Sequence, residues 1–130
     1  FVVKKINNFC KKNKFWIYRN SLGFEKYHQL LMNCDFIIGN SSSGIIESPF
    51  YKIPAINIGL RQKGRVRHKN IIDINYNSKN IFNSINLVLN KKFKKTLKNI
   101  KYKFGNGNTS LKINKILVKK INKENIFFKE

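Results

Sequence analysis

The chain has 130 residues, of which 42% are hydrophobic, and its formal net charge is +21 at pH 7. This length suits one domain with its own core. No apolar stretch reaches the roughly 18 residues of a membrane span, and no cleavable signal is visible. Cys10 and Cys34 lack metal-ligand spacing. We therefore expect reduced thiols in a cytoplasmic protein, with no membrane contact, metal or cofactor.

Lysine dominates the positive charge, since 23 of the 27 basic residues are Lys, densest at 91–103 and 112–123. A nucleic-acid-binding surface more often clusters arginine and aromatic side chains on one element. We therefore predict a solvated lysine surface, weakly attracted to polyanions, and no specific nucleic acid. Three of the four arginines behave differently: Arg61, Arg65 and Arg67 fall within seven residues, a pattern that favours bidentate contact with phosphate.

The first part of the chain predicts two helices with a strand between them. Apolar residues at helical spacing predict one helix that ends at about Lys12 and another over 24–33. Between them, the apolar run Phe15 to Tyr18 predicts a short buried strand, which a loop follows over 19–23.

The rest of the chain alternates further strands with helices. Strands are predicted at 36–38, 55–58 and 71–74, and a short helix at 43–51. Three later helices are predicted: one capped by Ser78, an exposed one over 91–101, and one over 109–121 capped by Thr109 or Ser110.

This alternation predicts an α/β fold with a parallel sheet. About four strands are expected, in the order 15–18, 36–38, 55–58, 71–74. Ligands of such sheets bind beyond the carboxyl ends of the strands. The loops that follow three of these strands, at 19–23, 40–43 and 59–67, are therefore predicted to form one site.

The most informative stretch spans 39–49 and reads GNSSSGIIESP. Its serine turn, residues 40–44, places the hydroxyls of Ser41, Ser42 and Ser43 and the flexible Gly44 at the start of a helix. Free N–H groups and the helix dipole favour an anion such as phosphate there. Glu47 lies about one helical turn further on. A helix cap alone would explain one serine, so we predict an anion-binding turn.

Three segments, GNSSSGIIESP, PAINIGLRQKGR and FGNGNTS, occur in an order that resembles the C-terminal half of hydrolysing UDP-N-acetylglucosamine 2-epimerases. The resemblance implies a two-domain GT-B-type fold with the nucleotide in the cleft. It implies conversion of UDP-N-acetylglucosamine to N-acetylmannosamine and UDP. On this basis 1–104 is expected to be a partial Rossmann-like UDP-binding domain. Residues 105–130 are expected to form a C-terminal helix that packs on an N-terminal domain.

The same resemblance implies roles for individual residues. Ser41 and Ser42 would donate to the UDP diphosphate, Glu47 would accept from the ribose hydroxyls, and Arg61 would contact the diphosphate or steady its own loop. The backbone near Leu22 would meet the uracil edge, with Tyr27 close by. Further contacts are left open for four residues: Ser43, Gly44, Arg65 and Arg67.

The resemblance also implies what is missing. Family enzymes are longer, and their acid–base carboxylates lie mostly outside the part that this chain resembles. With Glu47 assigned to ribose, no carboxylate pair remains here for general acid–base work. We therefore expect a fragment without a catalytic residue of its own, whose partners are a UDP-sugar and the missing N-terminal domain. Homo-oligomer formation is left open.

Truncation carries two structural expectations. Strand 15–18 should pair directly with strand 36–38, because the strands that separate them in the family are absent. The last helix should lose its support and leave Ile113 and Leu117 partly exposed. Two alternative functions are kept open: a GT-B-type glycosyltransferase domain that binds a UDP-sugar, and a basic nucleic-acid-binding module.

Overall fold

The computed structural model describes residues 1–121, so 122–130 of the predicted C-terminal segment lie outside the described residues. In this part the strands are β1 Ile37–Gly39, β2 Ala55–Ile58 and β3 Ile71–Ile74. The helices are α1 Val2–Lys12, α2 Gly23–Asn33, α3 Ser43–Ile46, α4 Ser78–Leu89, α5 Lys91–Leu97 and α6 Thr109–Ile121. None of the helices found over 1–121 is long and apolar enough to cross a membrane.

The predicted parallel α/β sheet is confirmed, but it has three strands rather than about four. The order is β1-β2-β3, and both pairings are parallel, with Ile38 opposite Ile56 and Ile56 opposite Ile72. Three successive residues of the central strand β2 are buried, which requires cover on both faces of the sheet. Helices α3 and α4 both contact β2 and provide this cover.

The predicted strand over 15–18 is wrong, and so is its pairing with β1. The chain instead turns back on α1: the Trp16 N–H donates to the Asn13 carbonyl at 2.9 Å, and the Trp16 ring packs edge-on against Phe9. The apolar run therefore contacts a helix, and its first three side chains stay exposed, Phe15 by 86%, while Tyr18 is half-buried. In the described part of the chain β1 is consequently an unpaired sheet edge, the kind of edge that favours pairing with another chain.

Helix α3 is shorter than the predicted 43–51. It ends at Ile46, and turns continue to Lys52. Pro49 has no N–H to donate and disfavours a helical conformation at Ser48. Ser48 instead donates its hydroxyl to the Gly44 carbonyl at 2.8 Å.

The core is small and lies around the sheet and the helices that cover it. Six apolar residues are buried: Leu31, Ile45, Ala55, Ile56, Val88 and Leu97. A Cβ added to Gly44 would lie 3.6 Å from Ala55 Cβ, so α3 approaches β2 closely. The core therefore supports the turn at which α3 begins.

Helices α5 and α6 differ in how far they are buried. The exposed helix predicted over 91–101 is confirmed as α5, although it ends at Leu97, whose side chain is buried. The expected exposure of the last helix is also confirmed, since Ile113 and Leu117 are 52% and 49% exposed. Helix α6 thus presents an apolar face that no described element covers.

Asn77, and not the predicted Ser78, caps α4. The Asn77 side chain accepts hydrogen bonds from the N–H groups of Lys79 and Asn80, at 2.8 and 3.3 Å. Loss of an N-cap side chain costs about 1 kcal/mol. We therefore expect Asn77→Ala to lower the free energy of unfolding by about 1 kcal/mol, and Ser78→Ala by less than about 0.5 kcal/mol. Urea unfolding of both variants measures this, and equal losses would contradict the assignment of the cap.

Candidate functional site

The serine turn follows β1 and opens α3. Ser42 is the N-cap residue, but its hydroxyl makes no capping hydrogen bond. The Ser41 hydroxyl accepts instead, from the Ser43 N–H at 3.3 Å. Ser41 is exposed, Ser42 is half-buried and Ser43 is buried. The hydroxyl of Ser42 is therefore free, within the described residues, to donate to a ligand at this helix start.

Helix α2 reaches the serine turn through Tyr27. The Tyr27 and Ser43 hydroxyls are hydrogen-bonded to each other. Tyr27 also lines an open groove of about 540 Å³, which includes Leu22 at the start of α2; the other lining residues are Arg19, Asn20, Ser21, Gly23 and Phe24. The prediction that the segment 19–23 follows a strand is wrong. Helix α2 nevertheless brings it towards the serine turn through Tyr27.

The loop over 59–67 reaches the serine turn from β2. Gln62, which is only 3% exposed, donates its amide Nε2–H to the Asn40 carbonyl at 2.7 Å. Arg61 approaches the same carbonyl with Nη1 at 3.4 Å, and its side chain is exposed. The predicted meeting of this loop and the serine turn at one sheet edge is thus confirmed.

Glu47 lies directly after α3 and is half-buried. Its carboxylate makes no hydrogen bond with another described residue, so both oxygens are free to accept from a ligand. The neighbouring Tyr102 donates its hydroxyl to the Ile46 carbonyl at 3.0 Å. Burial, and to a lesser extent the charge of Glu47, raises the pKa of Tyr102. Tyr102 therefore remains a hydrogen-bond donor that fixes the backbone next to Glu47.

Arg67 is held within the protein and is less available to a ligand than the sequence suggested. Its guanidinium binds Asp73 at 2.9 Å and also donates to the carbonyls of Gln62 and Arg65. Asn57 donates to the other Asp73 oxygen at 2.6 Å. The hydrogen bond and charge of Arg67, helped by Asn57, lower the pKa of Asp73 despite its partial burial. Asp73 is therefore ionised at neutral pH and anchors the 59–67 loop.

Several residues that organise the site were not singled out from the sequence. Asn57 and Gln62 are each 3% exposed, and an Asn inside an apolar strand was a signal that could have been used. His68, 5% exposed, accepts from the Lys103 N–H at 3.0 Å through Nε2. Burial, together with the charge of Lys103, lowers the pKa of His68. His68 is thus neutral and joins the 59–67 loop to the segment before α6.

Fold and candidate site together define an α/β unit whose polar loops meet at the carboxyl edge of a parallel sheet, the usual position of a ligand site in this fold class. The chain belongs to the UDP-N-acetylglucosamine 2-epimerase family, whose sequence model matches residues 2–118. The family resemblance identified from the three sequence segments is therefore confirmed.

Three relatives illustrate the match. The chain is 54% identical over 74 residues to the GDP/UDP-N,N'-diacetylbacillosamine 2-epimerase (hydrolyzing) of Campylobacter jejuni. The aligned segment covers 55% of this chain and 19% of the relative. The chain is 42% identical over 92 residues to polysialic acid biosynthesis protein P7 of Escherichia coli, covering 71% and 23%. It is 46% identical over 65 residues to UDP-N-acetylglucosamine 2-epimerase of Neisseria meningitidis, covering 50% and 17%. The matched parts thus span about a fifth of each relative.

Proposed function

We propose that this chain is the UDP-binding part of a hydrolysing UDP-N-acetylglucosamine 2-epimerase. The observation that carries the proposal is the position of the serine turn between two other polar segments. The Tyr27 hydroxyl of α2 is hydrogen-bonded to the Ser43 hydroxyl of this turn, and the Gln62 side chain donates to the Asn40 carbonyl of this turn. A nucleotide needs contacts to its base, ribose and phosphates at once, and three converging segments supply such contacts.

Each part of UDP has a group suited to it. Ser41 and Ser42 donate to the diphosphate, with Gly44 contributing its backbone N–H group at the start of α3; Ser43 orients the Ser41 hydroxyl by donating its N–H to it. Arg61, exposed beside Asn40, adds a cation for the same phosphates. The Glu47 carboxylate accepts from the ribose hydroxyls. The groove lined by Leu22 and Tyr27 receives the uracil.

The subtype, the sugar and the domain roles are the finer parts of the proposal. The name of the Campylobacter jejuni relative includes hydrolyzing, which supports the hydrolysing subtype, with N-acetylglucosamine or a diacetylated sugar as the sugar part. In the proposal 1–104 forms the UDP-binding domain, 105–130 packs on an N-terminal domain, and the acid–base carboxylates come from elsewhere in a longer protein. Membership of the epimerase family favours this function over a glycosyltransferase domain.

Calorimetric titration with UDP tests the proposal. It is run on this chain and on a chimera in which the matched 74 residues of this chain replace the corresponding segment of the Campylobacter jejuni relative. We expect Ser42→Ala and Glu47→Gln each to weaken UDP binding about tenfold, the loss of one hydrogen bond to a charged or fixed partner. Ser110→Ala, an exposed serine on α6, is the matched control and should leave the affinity unchanged.

Two outcomes would overturn the proposal. One is a chimera that binds no UDP while its melting temperature equals that of the parent relative. The other is binding to polynucleotides alone, with a steep salt dependence and no response to Ser42→Ala or Glu47→Gln. The second result would identify the lysine-rich chain as a basic nucleic-acid-binding module.

A further inference from the structure

A second cleft lies beyond the carboxyl ends of β2 and β3, separate from the serine turn. It has a volume of about 760 Å³, and none of its lining residues belongs to the serine turn or to the groove of Tyr27. Its lining includes cationic, aromatic, aliphatic and amide side chains, among them Leu60, Lys63, Arg65, Tyr76 and Asn80. A cleft of this size is in the range that holds a small ligand, and its position at this edge of the sheet is the usual one for ligands.

The cleft carries an excess of positive charge. Lys63, Arg65 and Arg67 line it together with a single carboxylate, that of Asp73. Arg67 already pairs with Asp73 at 2.9 Å, so these two charges offset each other. Lys63 and Arg65 are exposed, and neither forms an ion pair with a carboxylate of the described residues. Two cations are therefore left to attract an anion into the cleft.

The cleft also has an apolar part. Leu60 and Tyr76 are 77% and 75% exposed, although both are large and apolar enough to favour burial. The Tyr76 ring lies so close to Gly59 that a Cβ at this position would overlap with it. Gly59 has a φ of +78°, which favours glycine. A glycine at this position therefore permits both the backbone turn and the close approach of the Tyr76 ring. An exposed aromatic ring is a stacking surface for another flat ring.

Two amides add polar groups next to the ring. Asn80, in the first turn of α4, donates to the Asn75 side-chain oxygen at 2.7 Å. This bond orients both side chains and leaves the Asn80 oxygen and the Asn75 N–H groups available to a ligand. Cations, an aromatic ring and oriented amides thus meet in one cleft.

We propose that this cleft binds a phosphorylated ring compound of the nucleoside monophosphate type, with the ring on Tyr76 and the phosphate at Lys63 and Arg65. The site is distinct from the proposed UDP site, because the cleft shares no lining residue with the serine turn. Arg65, left open above as a UDP contact, belongs to this second site in the proposal.

The test is an NMR titration of the ¹⁵N-labelled 130-residue chain with adenosine 5′-monophosphate at fixed salt. Amide signals of 63–65 and 75–80, which line the cleft, should shift, whereas those of 40–44 should not. Adenosine and inorganic phosphate, titrated separately, should each bind at least about fivefold more weakly, because each supplies only one half of the contacts.

Matched variants separate a built site from general attraction to a basic protein. The double substitution Lys63→Glu with Arg65→Glu should weaken adenosine 5′-monophosphate binding at least about tenfold. Lys91→Glu with Lys92→Glu on α5 changes the net charge equally and should weaken it less than about twofold. Tyr76→Ala should weaken it several-fold, but Phe82→Ala, an exposed aromatic on α4, should not.

The outcomes decide the inference independently of the UDP proposal. Ser42→Ala should weaken UDP binding at the serine turn about tenfold and leave the adenosine 5′-monophosphate titration at 63–65 unchanged. Shifts spread over the lysine surface, or equal effects of the two charge-reversal variants, would overturn the second site. So would the absence of shifts at millimolar ligand in a chain whose spectrum shows it to be folded.

Discussion

Ile45→Ala is expected to lower the free energy of unfolding by about 2–5 kcal/mol, the usual cost of truncating a fully buried isoleucine. Ile45 is 0% exposed, and its helix α3 contacts both β1 and β2. Of the five other residues in the apolar core of the described chain, only Val88 is equally inaccessible to solvent. Because small domains have about 5–15 kcal/mol of stability in total, this substitution should remove a large share of it. Chemical unfolding followed by circular dichroism measures the loss.

Ile113→Ala is the matched control, since the same side-chain atoms are removed from an exposed position on α6. Ile113 is 52% exposed, so we expect a change of less than about 0.5 kcal/mol. A loss at Ile113 as large as that at Ile45 would contradict the structure, because it would require the apolar face of α6 to be buried in solution. Repeating the measurement at several protein concentrations would then show whether a second copy covers that face.

The strands that the sequence predicted with the correct limits are those whose ends the sequence marks clearly. The limits 55–58 and 71–74 match β2 and β3, because both are short isoleucine-rich runs and Pro54 and Gly59 bound the first of them. Such runs are stable only when buried on a parallel sheet, so pattern and structure agree.

The run at 15–18 has the same apolar composition, and its prediction failed for a reason outside the run itself. A strand needs a neighbour with which to pair, and the turn after Asn13 directs Trp16 onto Phe9 of α1 instead. Local composition therefore indicated an apolar contact but not the partner. The prediction of the α4 cap failed for a similar reason. Asn77 and Ser78 are both residues that favour an N-cap position, and only the backbone geometry selects Asn77.

At the candidate site, too, the sequence pattern predicted a local feature but not which residues contact each other. The serine turn was predictable, because three hydroxyls before a glycine at a helix start have few structural explanations. The pairing of Arg67 with Asp73 was not, since an arginine-rich loop equally suggests contacts to phosphate. Gln62 was also missed, because a glutamine between two cations gives no sign from sequence that its amide is buried against Asn40.

A second large effect on stability is expected at Asn70, which precedes β3 and is 0% exposed. Its side-chain amide donates to the Ser48 hydroxyl at 2.8 Å and to the Ile53 carbonyl at 2.6 Å. The backbone carbonyl of Asn70 in turn accepts a hydrogen bond from the Ala55 N–H at 2.9 Å. One residue thus joins the turn that follows α3 to the starts of β2 and β3, at the edge of the sheet opposite to the serine turn.

Asn70→Leu keeps a similar volume but removes both side-chain N–H donors, so the buried Ser48 hydroxyl and the partly buried Ile53 carbonyl each lose a hydrogen bond. Such a group costs about 1–3 kcal/mol, and we expect that loss in urea unfolding. Asn83→Leu, at an exposed position of α4, should change stability by less than about 0.5 kcal/mol. Asn70→Asp should destabilise more than Asn70→Leu at neutral pH, because a buried carboxylate would face two oxygen atoms. An Asn70→Leu variant as stable as the parent chain would mean that apolar contacts alone hold this turn on the sheet.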